Sequence, residues 1–239
     1  MTEFTVKLAD IPIGICALYE VTIEAYREYL TEDSPVFSLT VTDRELKKEE
    51  DLLAGRLRMT PSALEKQWIY RQVGERLPEF GALLVHGSAV AVDGNAYLFT
   101  APSGTGKSTH ARLWRQYLGD RAVMINDDKP LLKFEKDSVL VCGSPWSGKH
   151  RLGTNMTAPL KGICLLSRDA HNSIATASIE QDFPALLQQF YRPEDAQRTA
   201  QTLTLIDRLL QTVPLYRLRC NMDLDAAQIA YDGLNGGKV

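Results

Sequence analysis

The spacing of apolar positions changes along this chain, and the changes mark its elements. Phe4-Thr5-Val6-Lys7-Leu8 and Val36-Phe37-Ser38-Leu39-Thr40-Val41 alternate in parts with period two, as half-buried strands do, with acidic residues and prolines between them. A helix is expected around 23–30. The charge run Arg44-Glu45-Leu46-Lys47-Lys48-Glu49-Glu50-Asp51 reads as a solvated helix face or a loop and carries no functional signal. From Thr60 the period lengthens. Thr60 can cap a helix, Pro61 suits its first position, and Leu64, Trp68, Ile69, Val73 and Leu77 form one apolar stripe that stops before Pro78. The run from Ala82 to Val92 is a strand pattern, Asp93-Gly94 is a hairpin turn, and 97–100 is the returning arm.

Beyond that arm the pattern predicts a helix from Lys107 to about Leu118, closed by Gly119. Strands follow over 122–126, around 131–134 and 138–142, and over 162–167. Residues 183–210 read as mainly helical with a break near Pro193, then a strand over 215–219 and a helix over 224–234. The expectation is an α/β fold in two parts: a small, mostly-β N-terminal lobe over 1–58 and a larger domain over 59–239. No internal repeat is present.

The returning arm delivers the chain into Thr100-Ala101-Pro102-Ser103-Gly104-Thr105-Gly106-Lys107-Ser108-Thr109. A strand, a glycine-bearing loop, and a lysine and two hydroxyls opening a helix form the phosphate-loop pattern. Small residues let backbone N–H groups close around phosphate oxygens, and the helix dipole points its positive end at them. Pro102 to Thr109 are the candidate nucleotide-binding residues. Lys107 is placed to reach the outer phosphates and the Ser108 hydroxyl to ligate magnesium. The usual pattern has glycine six residues before the lysine, where this chain has Ala101. A methyl there ordinarily excludes positive φ, so a changed approach to the loop is expected. The plain alternative, a Gly/Ser turn between strand and helix, does not account for the joint placement of Gly104, Gly106, Lys107, Ser108 and Thr109.

Charge is nearly balanced, 27 basic against 30 acidic residues, which argues against general nucleic-acid binding. No apolar run is long enough to span a bilayer and no basic segment followed by an apolar core opens the chain, so neither a membrane nor a secretory role is expected. Cys16, Cys142, Cys164 and Cys220 lack metal-site spacing and read as packed thiols of a cytoplasmic protein.

Three further features gather around the loop. The strand at 122–126 ends in Asp127-Asp128. A strand ending in acids downstream of a phosphate loop commonly offers a carboxylate to magnesium, and two neighbouring acids can divide metal holding from proton acceptance; the alternative is a plain Asn-Asp-Asp turn. His86 ends an apolar strand one hairpin before the loop and is expected near those carboxylates. Lys149, after Pro145-Trp146-Ser147-Gly148, is a candidate cation for a transferring phosphoryl group, with an exposed mobile lysine as the alternative reading. Trp146 packs on a nucleotide or anchors the loop, and Arg151 is a weaker candidate for the cationic role. His110, His150 and His171 read as surface or incidental residues.

In this order, His86-Gly87, a hairpin, Ser103-Gly104-Thr105-Gly106-Lys107-Ser108, a strand and Asp127-Asp128 resemble the catalytic domain of HPr kinase/phosphorylase and the related loop of ATP-dependent phosphoenolpyruvate carboxykinase. Ala101-Pro102-Ser103-Gly104-Thr105-Gly106-Lys107-Ser108-Thr109, Asn126-Asp127-Asp128-Lys129-Pro130 and Pro145-Trp146-Ser147-Gly148-Lys149 are most similar to HPr-kinase-like serine kinases of peptide-modification clusters, such as those of lasso peptides. The resemblance covers 80–170 well and the C-terminal part loosely, and in it Ala101 is a subfamily trait. It implies a mixed, partly antiparallel sheet and Mg²⁺- and ATP-dependent phosphoryl transfer to a serine or threonine hydroxyl. It implies Asp127 as base, and Asp128 with Ser108 as metal ligands; the two acids could exchange roles. The acceptor implied is a peptide, a protein or a small hydroxyl metabolite, and a homo-oligomer is compatible. Thr109 stands where many HPr enzymes have a carboxylate, Trp146–Gly153 matches their Arg-Gly-Leu-Gly region only loosely, and residues 1–58 show no likeness, so the HPr substrate and the reverse reaction are not carried over. Rival readings are a nucleotide-binding regulatory module with little turnover, a carboxykinase, for which no upstream His and Lys metal ligands are found, and a scaffold whose N-terminal lobe binds a leader peptide.

Overall fold

In the computed structural model, residues 1–53, 59–148 and 151–236 are described. The chain starts with a hairpin, β1 (Thr2–Leu8) and β2 (Ile11–Ala17), turned through Ala9 and Asp10 at φ 50° and 61°. The segment expected to be one helix is a short α1 (Val21–Glu24) followed by a 3₁₀ turn at Arg27–Tyr29. β3 (Phe37–Thr40) then joins β2 in parallel. β2 has no counterpart among the expected strands. Pro12 reads as punctuation, yet Ile11, Ile13, Ile15 and Ala17 are all buried, and a Cβ at Gly14 would stand 2.5 Å from the Ser38 hydroxyl, so close contact with β3 favours glycine there.

The charge run is α2 (Asp43–Leu53), which buries Leu46 and Glu49; the Glu49 carboxylate accepts from Arg71 Nε at 2.9 Å. α3 (Pro61–Arg76) begins as its sequence dictates: the Thr60 hydroxyl accepts from the Ala63 N–H, and Pro61 takes the first position. Trp68, Ile69 and Val73 of α3 and the following Leu77 share one core with the three-stranded sheet and with Ala82, Leu84, Leu131 and Cys142. The N-terminal sheet is thereby packed onto the rest of the molecule through α3.

The remaining strands form one sheet. In chain order the elements are β4 (Ala82–Leu84), β5 (Gly87–Val92), β6 (Asn95–Thr100), α4 (Lys107–Leu118), β7 (Ala122–Asn126), β8 (Leu131–Phe134), β9 (Val139–Cys142), β10 (Thr157–Arg168), β11 (Ser173–Thr176), α5 (Ile179–Leu187), α6 (Ala196–Thr212), β12 (Leu215–Cys220) and α7 (Asp225–Leu234). The spatial order is β4-β8-β9-β10-β6-β5-β7, with β12 beside the second half of β10 and β11 beside β12. β6, β10 and β12 are parallel to one another and the other pairings are antiparallel, so the fold is α/β with the mixed, partly antiparallel sheet expected from the sequence. The run expected as one strand over 82–92 is two, because the chain leaves β4 at Val85-His86 and changes partner from β8 to β7 and β6.

Period-two alternation places each central strand between two cores. Leu98 of β6 and Ile163 and Leu165 of β10 face α5 and α6, while Tyr97, Phe99, Cys164 and Leu166 face α4 and α7. Trp114 of α4 is fully buried edge-on against Phe99, with ring centroids 4.9 Å apart. The Asp93-Gly94 turn has both residues at positive φ, 48° and 81°, as a tight hairpin requires, and it fixes the register that ends β6 at Thr100. All four cysteines are free thiols; Cys142 and Cys164 are buried, and Cys16 and Cys220 half-buried. Among the described residues no helix is long and apolar enough to cross a membrane.

Candidate active site

The segment between β6 and α4 is a phosphate loop in geometry as well as sequence. Gly104 and Gly106 have φ 79° and 125°, values that L side chains rarely adopt, and added Cβ atoms would meet nothing within 4 Å. Backbone conformation, not crowding, demands glycine there. Lys107 is 7% exposed, and its ammonium donates to the carbonyls of Ala101 at 2.9 Å and Pro102 at 3.2 Å. Ala101 is buried in the α4 core without positive φ, so the methyl in place of the usual glycine is accommodated. Ser103 and Ser108 are exposed and Thr105 and Thr109 half-buried.

The acids are set by Asn126, the fully buried last residue of β7. Its side-chain carbonyl accepts from the N–H groups of Asp128 at 2.8 Å and Lys129 at 2.7 Å, and its amide donates to the Ser144 carbonyl at 3.0 Å. The Ser144 hydroxyl donates to the Lys129 carbonyl at 2.6 Å. An Asn turn therefore does exist here, and it is what aims the two acids. Asp127 is 6% exposed; one of its oxygens, Oδ1, accepts from the Ser88 hydroxyl at 2.9 Å. A Cβ at Gly148 would stand 3.2 Å from the Asp127 carbonyl oxygen and 3.5 Å from Oδ2, so the 143–148 loop lies close over this acid. Asp128 is more open, with His86 Nε2 at 3.6 Å and Lys129 Nζ at 3.7 Å from Oδ1.

His86 is fixed at the junction of β4 and β5. Its N–H donates to Gln189 O at 2.7 Å, its carbonyl accepts from the Thr100 hydroxyl at 2.7 Å, and the next N–H, of Gly87, donates to Asp128 O at 3.0 Å. Three backbone and side-chain bonds thus tie the end of β6, the acids and His86 together. The expectation that His86 lies beside the carboxylates is met through Asp128.

The charges act on one another. Burial depresses the Lys107 ammonium, opposed by Asp128 and Asp127 and reinforced by Lys129. Burial also depresses Lys129, opposed by Asp128. His86 is pushed down to about 4, first by burial and then by the positive charges of Lys129 and Lys107, with Asp128 pulling the other way, so it is neutral at pH 7. Burial, and then the charge of Asp128, push the Tyr70 hydroxyl up. Lys107, Lys129, His86 and both acids therefore form one electrostatic cluster.

His110, read as a surface or incidental residue, is 1% exposed inside the α4 core, where Trp114 Nε1 donates to its Nε2 at 3.0 Å. That bond leaves the ring proton on Nδ1, which has no partner, and burial pushes the imidazole down to about 4. In both histidines the folded protein resists protonation that the unfolded chain accepts near its ordinary value of about 6.5. Between about pH 6.5 and pH 4 the unfolded state binds more protons, so stability should fall as pH falls through that window and be insensitive to these groups above it. Unfolding free energies from urea titrations between pH 7.5 and 4 should drop by at most about 1.4 kcal/mol per pH unit for each histidine, and His86→Gln should flatten part of the slope. An unfolding free energy unchanged across the window would contradict the neutral assignment.

Other expected residues fall as follows. Trp146 is edge-on to Tyr70 at 5.3 Å and to Tyr26 at 6.4 Å, so it anchors the 143–148 loop against α3 and the N-terminal segment. Lys149 and His150 lie outside the described residues. Arg151 is exposed, at φ 49°, with its N–H on Gly148 O. His171 is exposed, as expected. Sequence reasoning assigned no role to Lys129 or Ser88. Lys129 had a signal, a cation directly after two acids, whereas the Ser88 contact to Asp127 is a strand-pairing effect with no local signature.

No three His, Cys, Asp or Glu side chains among the described residues form a metal cage. A set of one hydroxyl, Ser108, and one carboxylate, Asp128, is what magnesium takes when phosphate oxygens and water supply the rest of its shell. The residues present fit that ion.

The family model described as SynChlorMet cassette protein ScmC matches residues 57–225. That span contains the loop, His86 and both acids and leaves out β1 to β3. The structure of the Hpr(Ser) kinase/phosphatase from Coxiella burnetii is similar at 13% identity and a TM-score of 0.37, over 63% of this chain and 95% of that one. No curated protein matches the chain.

Proposed function

The chain belongs to the SynChlorMet cassette protein ScmC family, and from that premise we propose that it is a magnesium- and ATP-dependent kinase that phosphorylates a serine or threonine hydroxyl of a peptide or protein. The observation that carries the reading is the phosphate loop, with its positive-φ Gly104 and Gly106 and a buried Lys107 whose ammonium feels the charges of Asp128 and Asp127.

Each residue has a task. The loop N–H groups and the α4 dipole bind the phosphates, and Lys107 exchanges its loop carbonyls for the outer phosphate oxygens. Ser108 and Asp128 would hold magnesium, which when bound would supply charge neutralisation to the transferring phosphoryl group. The acceptor oxygen forms a bond to the γ-phosphorus as the bond to the β,γ-bridging oxygen breaks. Asp127, with Oδ1 held by Ser88, takes the hydroxyl proton on Oδ2. Neutral His86 and cationic Lys129 keep Asp128 in place, and Lys149 is the candidate cation for the moving phosphoryl group. An acceptor reaches the acids past a cavity of about 390 Å³ lined by Tyr70, His86, Lys129, Gln189, Tyr191 and Arg192. An open volume of that size also admits a small hydroxyl metabolite, the second reading; the outcome turns on what enters it.

A cassette name directs the search for the acceptor to products of the same gene cluster. Incubating the protein with Mg·ATP and each such peptide should add one phosphate, detected by mass spectrometry and located to a Ser or Thr by fragmentation. Nucleotide binding without transfer to any cluster peptide or hydroxyl metabolite would leave the regulatory-module reading and overturn this one.

A further inference from the structure

β6, β10 and β12 run parallel, so their carboxyl ends lie at one edge of the sheet, the place where ligands bind in open α/β sheets. The phosphate loop leaves that edge from β6. The register pairs Thr100, the last residue of β6, with Leu165, so Leu166, Ser167 and Arg168 of β10 run on beyond it, alongside the loop. Between them and residues 102–105 is an open cavity of about 530 Å³, within the range of about 300–1,000 Å³ that small-molecule sites occupy.

Arg168 decides what this space can hold. Its Nε donates to Thr105 O at 3.1 Å and its Nη2 to Gly104 O. Lys107 holds the carbonyls of Ala101 and Pro102. Two cations thus grip four carbonyls of one short loop. A trans peptide sets each N–H opposite the preceding C=O, so drawing Thr105 O toward Arg168 turns the Gly106 N–H the other way. The other residues lining the cavity are uncharged, and the guanidinium plane offers a surface on which an uncharged aromatic ring can stack.

Resting on the kinase reading above, we propose that the cavity between the loop and the end of β10 binds the nucleoside half of the phosphoryl donor, and that Arg168 is a positioning residue that keeps the loop in its phosphate-binding shape. The two parts separate on ligands with and without a nucleoside. Binding of Mg·ATP and of Mg·tripolyphosphate to the full chain is measured by titration calorimetry. Arg168→Ala should weaken both about tenfold, equivalent to ~1.4 kcal/mol, because the shared phosphate site loses its shape. Ser167→Trp, at an exposed position on the cavity wall, should weaken ATP about tenfold and leave tripolyphosphate within about twofold. Thermal unfolding reports whether each variant is folded. Should Arg168→Ala fail to fold, Arg168→Lys keeps the charge but not the two-pronged geometry and should still bind both ligands more weakly than the parent. Parent-like affinity in the folded Arg168 variant overturns the positioning role, and equal loss of both ligands, or of neither, in Ser167→Trp overturns the nucleoside site. In those cases the kinase reading stands. A parent protein that binds neither ligand overturns both.

Discussion

Lys107→Ala should raise the dissociation constant for Mg·ATP about a hundredfold and reduce turnover at least as much. The ammonium is 7% exposed and sits at the first position of α4, where backbone dipoles already favour an anion. Charge-assisted hydrogen bonds are worth about 1.5–3 kcal/mol each, and a lysine reaching two phosphate oxygens supplies at least the ~2.8 kcal/mol that a hundredfold represents. The removed group also holds the carbonyls of Ala101 and Pro102. Some stability should therefore be lost as well, on the order of 1–2 kcal/mol by urea unfolding. The two effects are separable, because a loss of binding that arose only from a collapsed loop would be recovered by low temperature or by osmolytes that restore the fold, and a lost cation would not. Calorimetric titration of the folded variant decides it: affinity and turnover equal to the parent's would remove the phosphate-loop assignment and every role built on it.

The parts of this molecule that are local in sequence were legible before its coordinates. Thr60 and Pro61 specify the start of α3 by a cap and a fixed φ, and Asp93-Gly94 specifies the β5–β6 hairpin by its two positive φ values. The loop is legible for the same reason, since Gly104, Gly106 and Lys107 act through backbone geometry within one turn. What was not legible depends on partners far along the chain. β2 carries Pro12, which reads as punctuation, yet the strand pairs with β1 on one side and with β3 on the other, and the closeness of β3 suits Gly14. β11 is mostly exposed and has no apolar face to announce it; it exists because β12 presents a free edge. His110 looked incidental because nothing in its neighbourhood shows that the α4 face it lies on is the buried one beside Phe99. Arg168 stands 63 residues from Thr105, whose carbonyl it holds, and only the parallel pairing of β10 with β6 brings them together. Short-range chemistry thus gave the loop and the acids, and sheet topology supplied the residues that hold them in place.

Asp127→Asn should lower the rate of phosphoryl transfer by about 10²–10⁴, the range that a positioned general base contributes, while Mg·ATP affinity stays within about twofold. The substitution is close to isosteric. Asparagine keeps an oxygen to accept from Ser88, so the 2.9 Å contact that orients the side chain survives. What changes is the atom beside Gly148: an amide cannot take the acceptor's proton. Asp128→Asn tests the partner acid with the opposite expectation. Its carboxylate is the more open of the two and has His86 and Lys129 within 4 Å, so losing the charge should raise the magnesium concentration needed for half-maximal activity about tenfold, at ~1.4 kcal/mol, and leave a rate that excess magnesium restores. The pair of variants therefore distinguishes proton acceptance from metal holding by rescue: a deficit at position 127 that magnesium cures, with one at 128 that it does not, would exchange the two roles. Full activity in Asp127→Asn at ordinary magnesium would show that no base at this position takes part. The burial of Asp127 under the Gly148 loop, against the open setting of Asp128, is the physical reason for assigning the proton to the first acid and the metal to the second.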